Sequence, residues 1–347
     1  MSRSKVLVAG GGGFIGGHLA KDLLERGHEV VCVDWKPLDE WHQIHPQAIN
    51  RIGDLREKQV CFDACQGVET VYMLAADMGG MGFIETHKAE CMLSVLISTH
   101  MLMAAQACGV QCYFYSSTAC VYNAEKQTDA NVTPLKESDA YPALPEDGYG
   151  WEKLFSERMC RHFLEDYGLE TRVARFHNVY GAHGTWEGGR EKAPAAICRK
   201  VVEAKLSGRH EIEIWGDGKQ TRSFMYIDDC IEGIHRIANH PELVTLNLGS
   251  NELVTINGLV DLVESIAGIR LERHYKLDAP RGVNGRNSDN TLIEQTLGWS
   301  PSIRLRDGLE KTYAWIYDEY VNKHAAGVSA KVMATTPPRP MKSSVGR

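Results

Sequence analysis

Two features are missing from this sequence of 347 residues: a long apolar run and an excess of basic residues. None of its hydrophobic stretches approaches the ~20 residues that a membrane-spanning helix needs. Its 38 lysines and arginines stand against 45 aspartates and glutamates, a formal net charge of −7. Since nucleic-acid binding needs a basic surface, we expect neither a nucleic-acid partner nor a membrane partner. Residues 1–5 lead directly into a β-branched segment, so we expect no signal peptide and a cytoplasmic location.

Closely spaced cysteine pairs are also missing, although the chain holds ten cysteines. No C-x-x-C pair occurs, and structural zinc sites usually combine such pairs with further cysteines or histidines. We therefore expect no metal site and mostly reduced, buried thiols. A chain of this length buries about three quarters of its unfolded surface, so it needs neither disulfides nor a structural metal to fold.

Short β-branched runs alternate with longer helical segments in the first half of the chain. Lys5–Ala9, Glu29–Asp34 and residues 70–76, 111–117 and 171–176 are typical of buried strands. The alternation predicts an α/β fold, a Rossmann-type doubly wound parallel sheet. We expect this domain over residues 1–178, with some later segments returning to it. A smaller C-terminal substrate-binding lobe follows over residues 179–324, and a flexible tail over residues 325–347.

A glycine-rich turn joins the first strand to the first helix. Gly10, Gly13 and Gly16 form the pattern G-x-x-G-x-x-G, which lets the backbone approach a pyrophosphate at the positive end of a helix. Asp34 ends the next strand, where a carboxylate can accept hydrogen bonds from ribose hydroxyls and would repel a 2′-phosphate. The sequence therefore predicts a dinucleotide site that favours NAD over NADP.

The order of the motifs resembles the extended short-chain dehydrogenase/reductase family. After the glycine turn and Asp34 come Ala75-Ala76 behind the fourth strand, Ser117-Thr118 behind the fifth and Tyr149-x-x-x-Lys153. The nucleotide-sugar members of that family mostly epimerise, dehydrate or oxidise NDP-hexoses. The resemblance implies bound NAD that is regenerated each cycle. The predicted cofactor contacts are Gly10, Gly13, Phe14, Ile15, Gly16, Asp34, Asp54, Leu55, Ala75, Tyr149 and Lys153.

Tyr149 and Lys153 stand four residues apart, so they share one face of a helix that we predict over residues 149–167, capped by Asp147. A phenol with an ordinary pKa near 10 is a poor base. A neighbouring ammonium and the positive nicotinamide ring favour the phenolate, which can take a proton from a sugar hydroxyl. Thr118 supplies a hydroxyl that shares this proton.

Cys120 follows Thr118-Ala119 where dehydratases of the family usually carry an acidic pair, and a simple C4-epimerase needs no base at carbon. Oxidation of C4 to a ketone makes the C–H bonds at C3 and C5 acidic, and inversion there needs a base on one face and an acid on the other. A thiol and an amine suit this task if their pKa values approach 7, and both pKa values fall when positive charge is near. Lys192, on a glycine-flanked loop that enters a helix, is the candidate partner.

Two further segments, Met78-Gly-Gly-Met-Gly82 and Gly188-Gly-Arg-Glu-Lys-Ala-Pro194, resemble the branch of this family that epimerises GDP-mannose. That resemblance covers residues 5–320 and implies conversion of GDP-D-mannose to GDP-L-galactose through inversion at C3 and C5. It implies that Cys120 and Lys192 are the acid–base pair. The implied substrate contacts are Gly79, Thr118, Ala119, Cys120, Asn178, Glu191, Lys192, Ala193, Lys200, Gln220, Thr221, Arg222 and Arg286.

Several alternatives stay open. The enzyme can invert C5 alone, which gives GDP-L-gulose, or it can act on another NDP-sugar as an epimerase or dehydratase. A protein of this fold that binds NAD without catalysis is a further reading, although Tyr149 and Lys153 are both present. The family often dimerises through two helices per subunit, and we expect a homodimer through helices around residues 90–107 and 150–167.

Overall fold

The computed structural model describes residues 4–279 and 282–335. The strands are β1 Lys5–Ala9, β2 Glu29–Asp34, β3 Ile49–Ile52, β4 Thr70–Met73, β5 Cys112–Thr118, β6 Glu170–Phe176, β7 Val179–Tyr180, β8 Glu211–Trp215, β9 Thr221–Ser223, β10 Met225–Tyr226, β11 Leu246–Leu248, β12 Leu253–Thr255, β13 Glu272–Lys276 and β14 Gly285–Arg286. The helices are α1 Phe14–Glu25, α2 Lys58–Cys65, α3 Met81–Thr86, α4 Lys88–Ala107, α5 Tyr149–Tyr167, α6 Ala193–Ser207, α7 Ile227–Ala238, α8 Ile256–Ala267, α9 Thr291–Leu297 and α10 Leu305–Thr335.

Seven parallel strands form the central sheet, in the order β11-β6-β5-β4-β1-β2-β3. Alternate residues of β1 serve opposite faces, as a strand requires. Val6 and Val8 join the core beneath α1 and α7, whereas Leu7 and Ala9 join the core beneath α2, α4 and α5. Because both of its faces are covered, β1 is almost wholly apolar. The predicted α/β fold with a doubly wound parallel sheet is confirmed.

The chain leaves the sheet after β6 and returns to it at β11. Leu246 of β11 pairs with Ala174 of β6, and α7 packs against α1 on one face of the sheet. The segments between and after these elements build small sheets, β12-β9-β14 and β13-β8, together with α6, α8 and α10. The second half of the chain therefore contributes to both the sheet and the lobe beside it.

The ends of two helices differ from the sequence predictions. α5 spans the predicted residues, but its cap is Gly148 at φ 58° and no side chain caps it. Asp147 lies 2.6 Å from Lys88 Nζ instead, so the prediction of an Asp147 cap is wrong. α10 continues to Thr335, past the residue where we expect a flexible tail to begin. The tail stays a prediction, and residues 336–347 lie outside the described part of the chain.

Candidate active site

A cavity of about 890 Å³ opens at the carboxyl ends of the central strands, where open α/β sheets bind their ligands. Its wall runs from the glycine turn after β1, past the ends of β2, β4 and β5, to the loop before α6. Every cofactor contact predicted from the sequence lines it: Gly10, Gly13, Phe14, Ile15, Gly16, Asp34, Asp54, Leu55, Ala75, Tyr149 and Lys153.

The glycine turn fits a dinucleotide because side chains have no room there. A Cβ on Gly16 would lie 2.1 Å from the carbonyl oxygen of Gly10, and one on Gly10 would lie 2.9 Å from the amide nitrogen of Ala75. Gly10 also adopts φ +88°, which only glycine takes up readily. The first turn of α1 has no side-chain cap, so its N–H groups remain available for phosphate oxygens.

Asp34 lies at the end of β2 with a side chain that is largely buried. Burial raises the pKa of its carboxyl group, while Lys36 opposes the shift through its charge and its amide hydrogen bond. The Lys36 ammonium donates to the carbonyl of Gly12 at 2.9 Å, which ties this corner to the glycine turn. Asp54, by contrast, is engaged by Arg56 at 2.6 Å.

Tyr149 and Lys153 lie one turn apart at the start of α5, both almost fully buried. Lys153 Nζ donates to the carbonyl of Ser116 at 3.1 Å and stands 5.8 Å from the centre of the Tyr149 ring. Burial raises the pKa of Tyr149, with Cys120 and Glu152 adding to the rise and a hydrogen bond to Thr118 opposing it. Burial also lowers the pKa of Lys153. In the protein alone, the phenol is therefore neutral.

Cys120 occupies a short 3₁₀ turn, Ala119–Val121, directly after β5. It packs in one buried cluster with Tyr149 and Cys91, and its backbone amide donates to Thr118 Oγ1 at 3.2 Å. Burial, followed by the charge of Glu146, raises the pKa of the Cys120 thiol to about 12, although Arg286 acts in the opposite direction. The acid–base role considered from the sequence needs a thiol pKa that approaches 7, and burial moves the pKa of Cys120 away from that value.

Lys192 is the residue immediately before α6, and its side chain lines the cavity. Burial lowers the pKa of its amine; Cys120 and Cys230 oppose this shift, while Arg286 adds to it. The shift is in the direction that an acid–base role at neutral pH requires, and the role itself stays a prediction. The site thus combines a thiol that favours its protonated form with an amine that readily loses its proton.

Arg286 lies deeper than the cavity wall, in a buried cluster of charges. Its guanidinium donates to Gln127 Oε1 at 2.7 Å, to Glu146 Oε1 at 2.7 Å and to Cys120 Sγ at 3.6 Å. Arg222, on the neighbouring strand β9, donates to the carbonyls of Thr221 and Val283 at 2.7 and 2.6 Å. Burial and the nearby Arg286 charge lower the pKa of Arg222 to about 10.

The other predicted substrate contacts divide between the cavity and its surroundings. Gly79 lines the cavity, and Ala119 is buried behind Thr118. The remaining residues are outside the lining and make these bonds: Asn178 to the carbonyl of Ser223, Glu191 to Arg199, Lys200 to the carbonyl of Glu213, Gln220 to the carbonyl of Trp215, and Thr221 to the carbonyl of Ala130. Ala193 begins α6 beside Lys192.

Two features of the site were not evident from the sequence. Glu146 reaches the cluster around Cys120 from a loop 26 residues further along the chain, and no motif marks it. Arg190 connects two loops. Its Nη1 lies 2.7 Å from a carboxylate oxygen of Asp77, and its guanidinium carbon lies 3.7 Å from the centre of the Phe83 ring. The amide of Gly80 also donates to the Arg190 carbonyl at 3.0 Å. Through these contacts Arg190 holds residues 78–82 beside the segment that carries Lys192.

Residues 4–279 and 282–335 contain no group of three or more His, Cys, Asp or Glu side chains arranged to hold a metal ion. Within the same ranges, no helix is sufficiently long and apolar to cross a membrane.

Residues 6–249 match the NAD dependent epimerase/dehydratase family. The chain is 44% identical to GDP-mannose 3,5-epimerase 1 of Oryza sativa subsp. japonica and 43% identical to GDP-mannose 3,5-epimerase of Arabidopsis thaliana. Each alignment covers 96% of this chain and 89% of the relative. A solved UDP-glucose 4-epimerase of Thermotoga maritima, with UDP-glucose, superposes with a TM-score of 0.82 at 25% identity, over 91% of this chain and 99% of that one. The chain therefore belongs to the NAD dependent epimerase/dehydratase family, and NAD is its cofactor.

Proposed function

We propose that this protein epimerises GDP-D-mannose at C3 and C5 to GDP-L-galactose through a transient 4-keto sugar. The rice and Arabidopsis relatives named for this activity align with 96% of the chain. One observation carries the proposal beyond the family fold: Lys192 lines the same cavity as Tyr149, and Cys120 packs against Tyr149. A 4-epimerase has no need of such an acid–base pair beside its redox tyrosine.

At C4, Tyr149 receives the proton of the sugar hydroxyl, with Thr118 sharing it and Lys153 lowering the energy of the phenolate. Bound NAD supplies the hydride acceptor and donor for this carbon. Its positive nicotinamide charge would offset the burial that raises the pKa of Tyr149. The glycine turn holds the pyrophosphate, and Asp34 accepts hydrogen bonds from the ribose.

At C3 and C5, Lys192 and Cys120 transfer the protons. The lowered pKa of Lys192 and the raised pKa of Cys120 suit a neutral amine that accepts a proton and a thiol that donates one. We further propose that Arg222 and Arg286, with Gln220, Thr221, Lys200 and Asn178, bind the nucleotide and its phosphates. Guanidinium groups match phosphate oxygens in geometry and charge.

We also propose a homodimer. α4 packs against α5, and the pair leaves large apolar side chains in solvent: Met92, Leu93 and Leu96 on α4, and Trp151 and Phe155 on α5. Exposed apolar groups concentrated on one pair of helices mark an interface more often than scattered ones do. A cytoplasmic location agrees with ten free cysteines, since oxidising compartments favour disulfides.

Deuterium exchange tests the reaction. The purified protein with its bound NAD is incubated with GDP-mannose in D₂O, and each ring position is followed by NMR. Deuterium at both C3 and C5 is the expected result, and deuterium at C5 alone would instead indicate a C5-epimerase that gives GDP-L-gulose. Cys120→Ala, with its oxidising Tyr149 intact, should lose the exchange that accompanies inversion. The absence of exchange from every GDP-hexose tried would refute the proposal.

A further inference from the structure

Glu146 is a buried carboxylate beside the reacting thiol. Its backbone amide donates to the carbonyl of Cys120 at 2.9 Å, and its Oε1 accepts from Arg286 Nη2 at 2.7 Å. Arg286 Nη1 in turn lies 3.6 Å from Cys120 Sγ. The side chains of Glu146, Arg286 and Cys120 thus form one compact cluster. In this cluster the carboxylate favours the protonated thiol, whereas the guanidinium favours the thiolate.

The second carboxylate oxygen of Glu146 has no hydrogen-bond partner among the described residues, although it is buried. Glu146 also lines a second cavity of about 430 Å³, separate from the cofactor cavity. Glu146 therefore belongs both to the Cys120 cluster and to the wall of a space large enough for several water molecules. The other residues lining this space are Met81, Ile84, Glu85, Lys88, Asp147, Gly282 and Val283.

We propose that Glu146 is a positioning residue that keeps Cys120 in its thiol form, so that Cys120 enters the reaction as the proton donor. This inference rests on the proposed epimerase function. Glu146 forms an ion pair with Arg286, whose charge alone would favour the thiolate, and its own negative charge disfavours a thiolate nearby. The raised pKa of Cys120 and the lowered pKa of Glu146 agree with this arrangement.

The charged and titratable groups around Cys120 come from six parts of the chain. Besides Glu146, they are Arg286 on β14, Arg222 on β9, Lys192 before α6, Tyr149 on α5, and Cys91 on α4. Glu146 is the carboxylate of this group, so it is the one whose removal changes the balance towards positive charge. Without Glu146, a thiolate at Cys120 would still be attracted by the guanidinium groups of Arg286 and Arg222 and would no longer be repelled by an anion.

The proton balance shows why the starting form matters. At the first centre, neutral Lys192 takes the proton from the carbon next to the 4-keto group, and the Cys120 thiol delivers its proton to the opposite face. The pair is left as an ammonium and a thiolate. At the second centre the roles reverse, the thiolate takes a proton and the ammonium gives one, and the starting forms are restored. A thiolate beside Glu146 is unfavourable, which promotes this second inversion.

Thiol labelling tests the claim without any turnover. Wild type, Glu146→Gln and the control Glu85→Gln, which changes an exposed residue of the second cavity, are treated with iodoacetamide at several pH values from 7 to 9, below the pKa of the thiol. Mass spectrometry follows the rate at which the Cys120 peptide is labelled in each. In Glu146→Gln this rate should rise at least about threefold at every pH, because the thiolate loses an anionic neighbour and its fraction increases. The control should match wild type. An unchanged labelling rate in Glu146→Gln would overturn the proposal.

The pH profile of deuterium exchange tests the donor role. The acid limb belongs to Lys192, which must be neutral, and the alkaline limb belongs to Cys120, which must carry a proton. Glu146→Gln should move the alkaline limb down by at least one unit and leave the acid limb in place. A merely structural role would lower the rate at every pH without moving either limb, and that result would also refute the proposal.

Two further outcomes are distinguishable. If wild type exchanges neither C3 nor C5 of GDP-mannose, the proposed function fails and the donor role fails with it, whereas labelling still decides whether Glu146 holds the thiol protonated. If Glu146→Gln does not fold, Glu146→Asp keeps the charge but withdraws it by one methylene. It should then raise the labelling rate by a smaller factor, and an unchanged rate would overturn the claim.

Discussion

At the scale of single residues, the close packing of the glycine turn can be tested by adding one methyl group. Gly16→Ala should destabilise the protein by about 1–3 kcal/mol, because overpacking of this size forces the backbone to shift. The turn should also lose bound NAD, since the added Cβ would lie 2.1 Å from the Gly10 carbonyl oxygen. Urea unfolding and the NAD content of the purified protein measure both effects.

Gly67→Ala is the matched control. Gly67 adopts φ +66° but has nothing within 4 Å of an added Cβ, so its replacement should cost only about 1 kcal/mol of backbone strain. NAD should remain bound at the wild-type level. Equal loss of NAD from both variants would show that general destabilisation, and not the shape of the turn, releases the cofactor.

The candidate residues of the site could be named from the sequence, but their protonation states could not. Tyr149 and Lys153 were named from their spacing on one helix face, and Cys120 and Lys192 as the acid–base pair from a family resemblance; these roles stay predictions. The pKa of Cys120 depends on burial and on Glu146, a residue that the fold brings in from a loop without a motif. Long-range contacts of this kind leave no trace in local sequence, so the sequence alone does not indicate that the pKa of Cys120 is raised.

At the scale of elements, the helix pair α4 and α5 predicts how subunits associate. Trp151→Lys combined with Phe155→Glu should convert a dimer to a monomer, because each change places a charge in an apolar interface. Light scattering at micromolar concentration measures the mass. Leu206→Glu on α6 removes an equally exposed apolar side chain and should leave the dimer intact. A monomeric wild type would contradict the interface.

The elements themselves were predicted best where the sequence is most periodic. β1, β2 and α5 begin and end at the predicted residues. Buried β-branched runs and a long helical pattern bounded by turn residues determine where such elements start and stop. The cap of α5 was not predicted correctly. Asp147 has a side chain suited to capping, but it pairs with Lys88 of α4, and glycine at positive φ makes the turn instead.

At the scale of the whole molecule, His177 predicts part of the loss of stability in acid. It is fully buried, and burial lowers the pKa of its imidazole to about 3. The unfolded chain binds a proton near pH 6.5, so stability is complete above that value and falls as the pH drops towards 3. At pH 5 this histidine alone should cost ~2 kcal/mol, from 1.36 kcal/mol per pH unit.

Replacement of His177 tests this contribution to acid sensitivity. His177→Gln should reduce the difference in the free energy of unfolding between pH 7 and pH 5 by that amount, as urea denaturation at the two pH values will measure. His210→Gln replaces an exposed histidine and should leave the difference unchanged. If His177→Gln retains the full wild-type pH dependence, another group must account for the acid sensitivity.

The late return of β11 to the sheet has a consequence for the order of folding. β6 is complete at Phe176, but its outer neighbour comes from Leu246–Leu248, about 70 residues later in the chain. During synthesis on the ribosome, β6 would therefore remain an unpaired edge strand until much of the lobe has been made. The two halves must mature together, and a gene fragment that ends at residue 178 would encode an unfinished sheet with an unpaired strand, prone to aggregate.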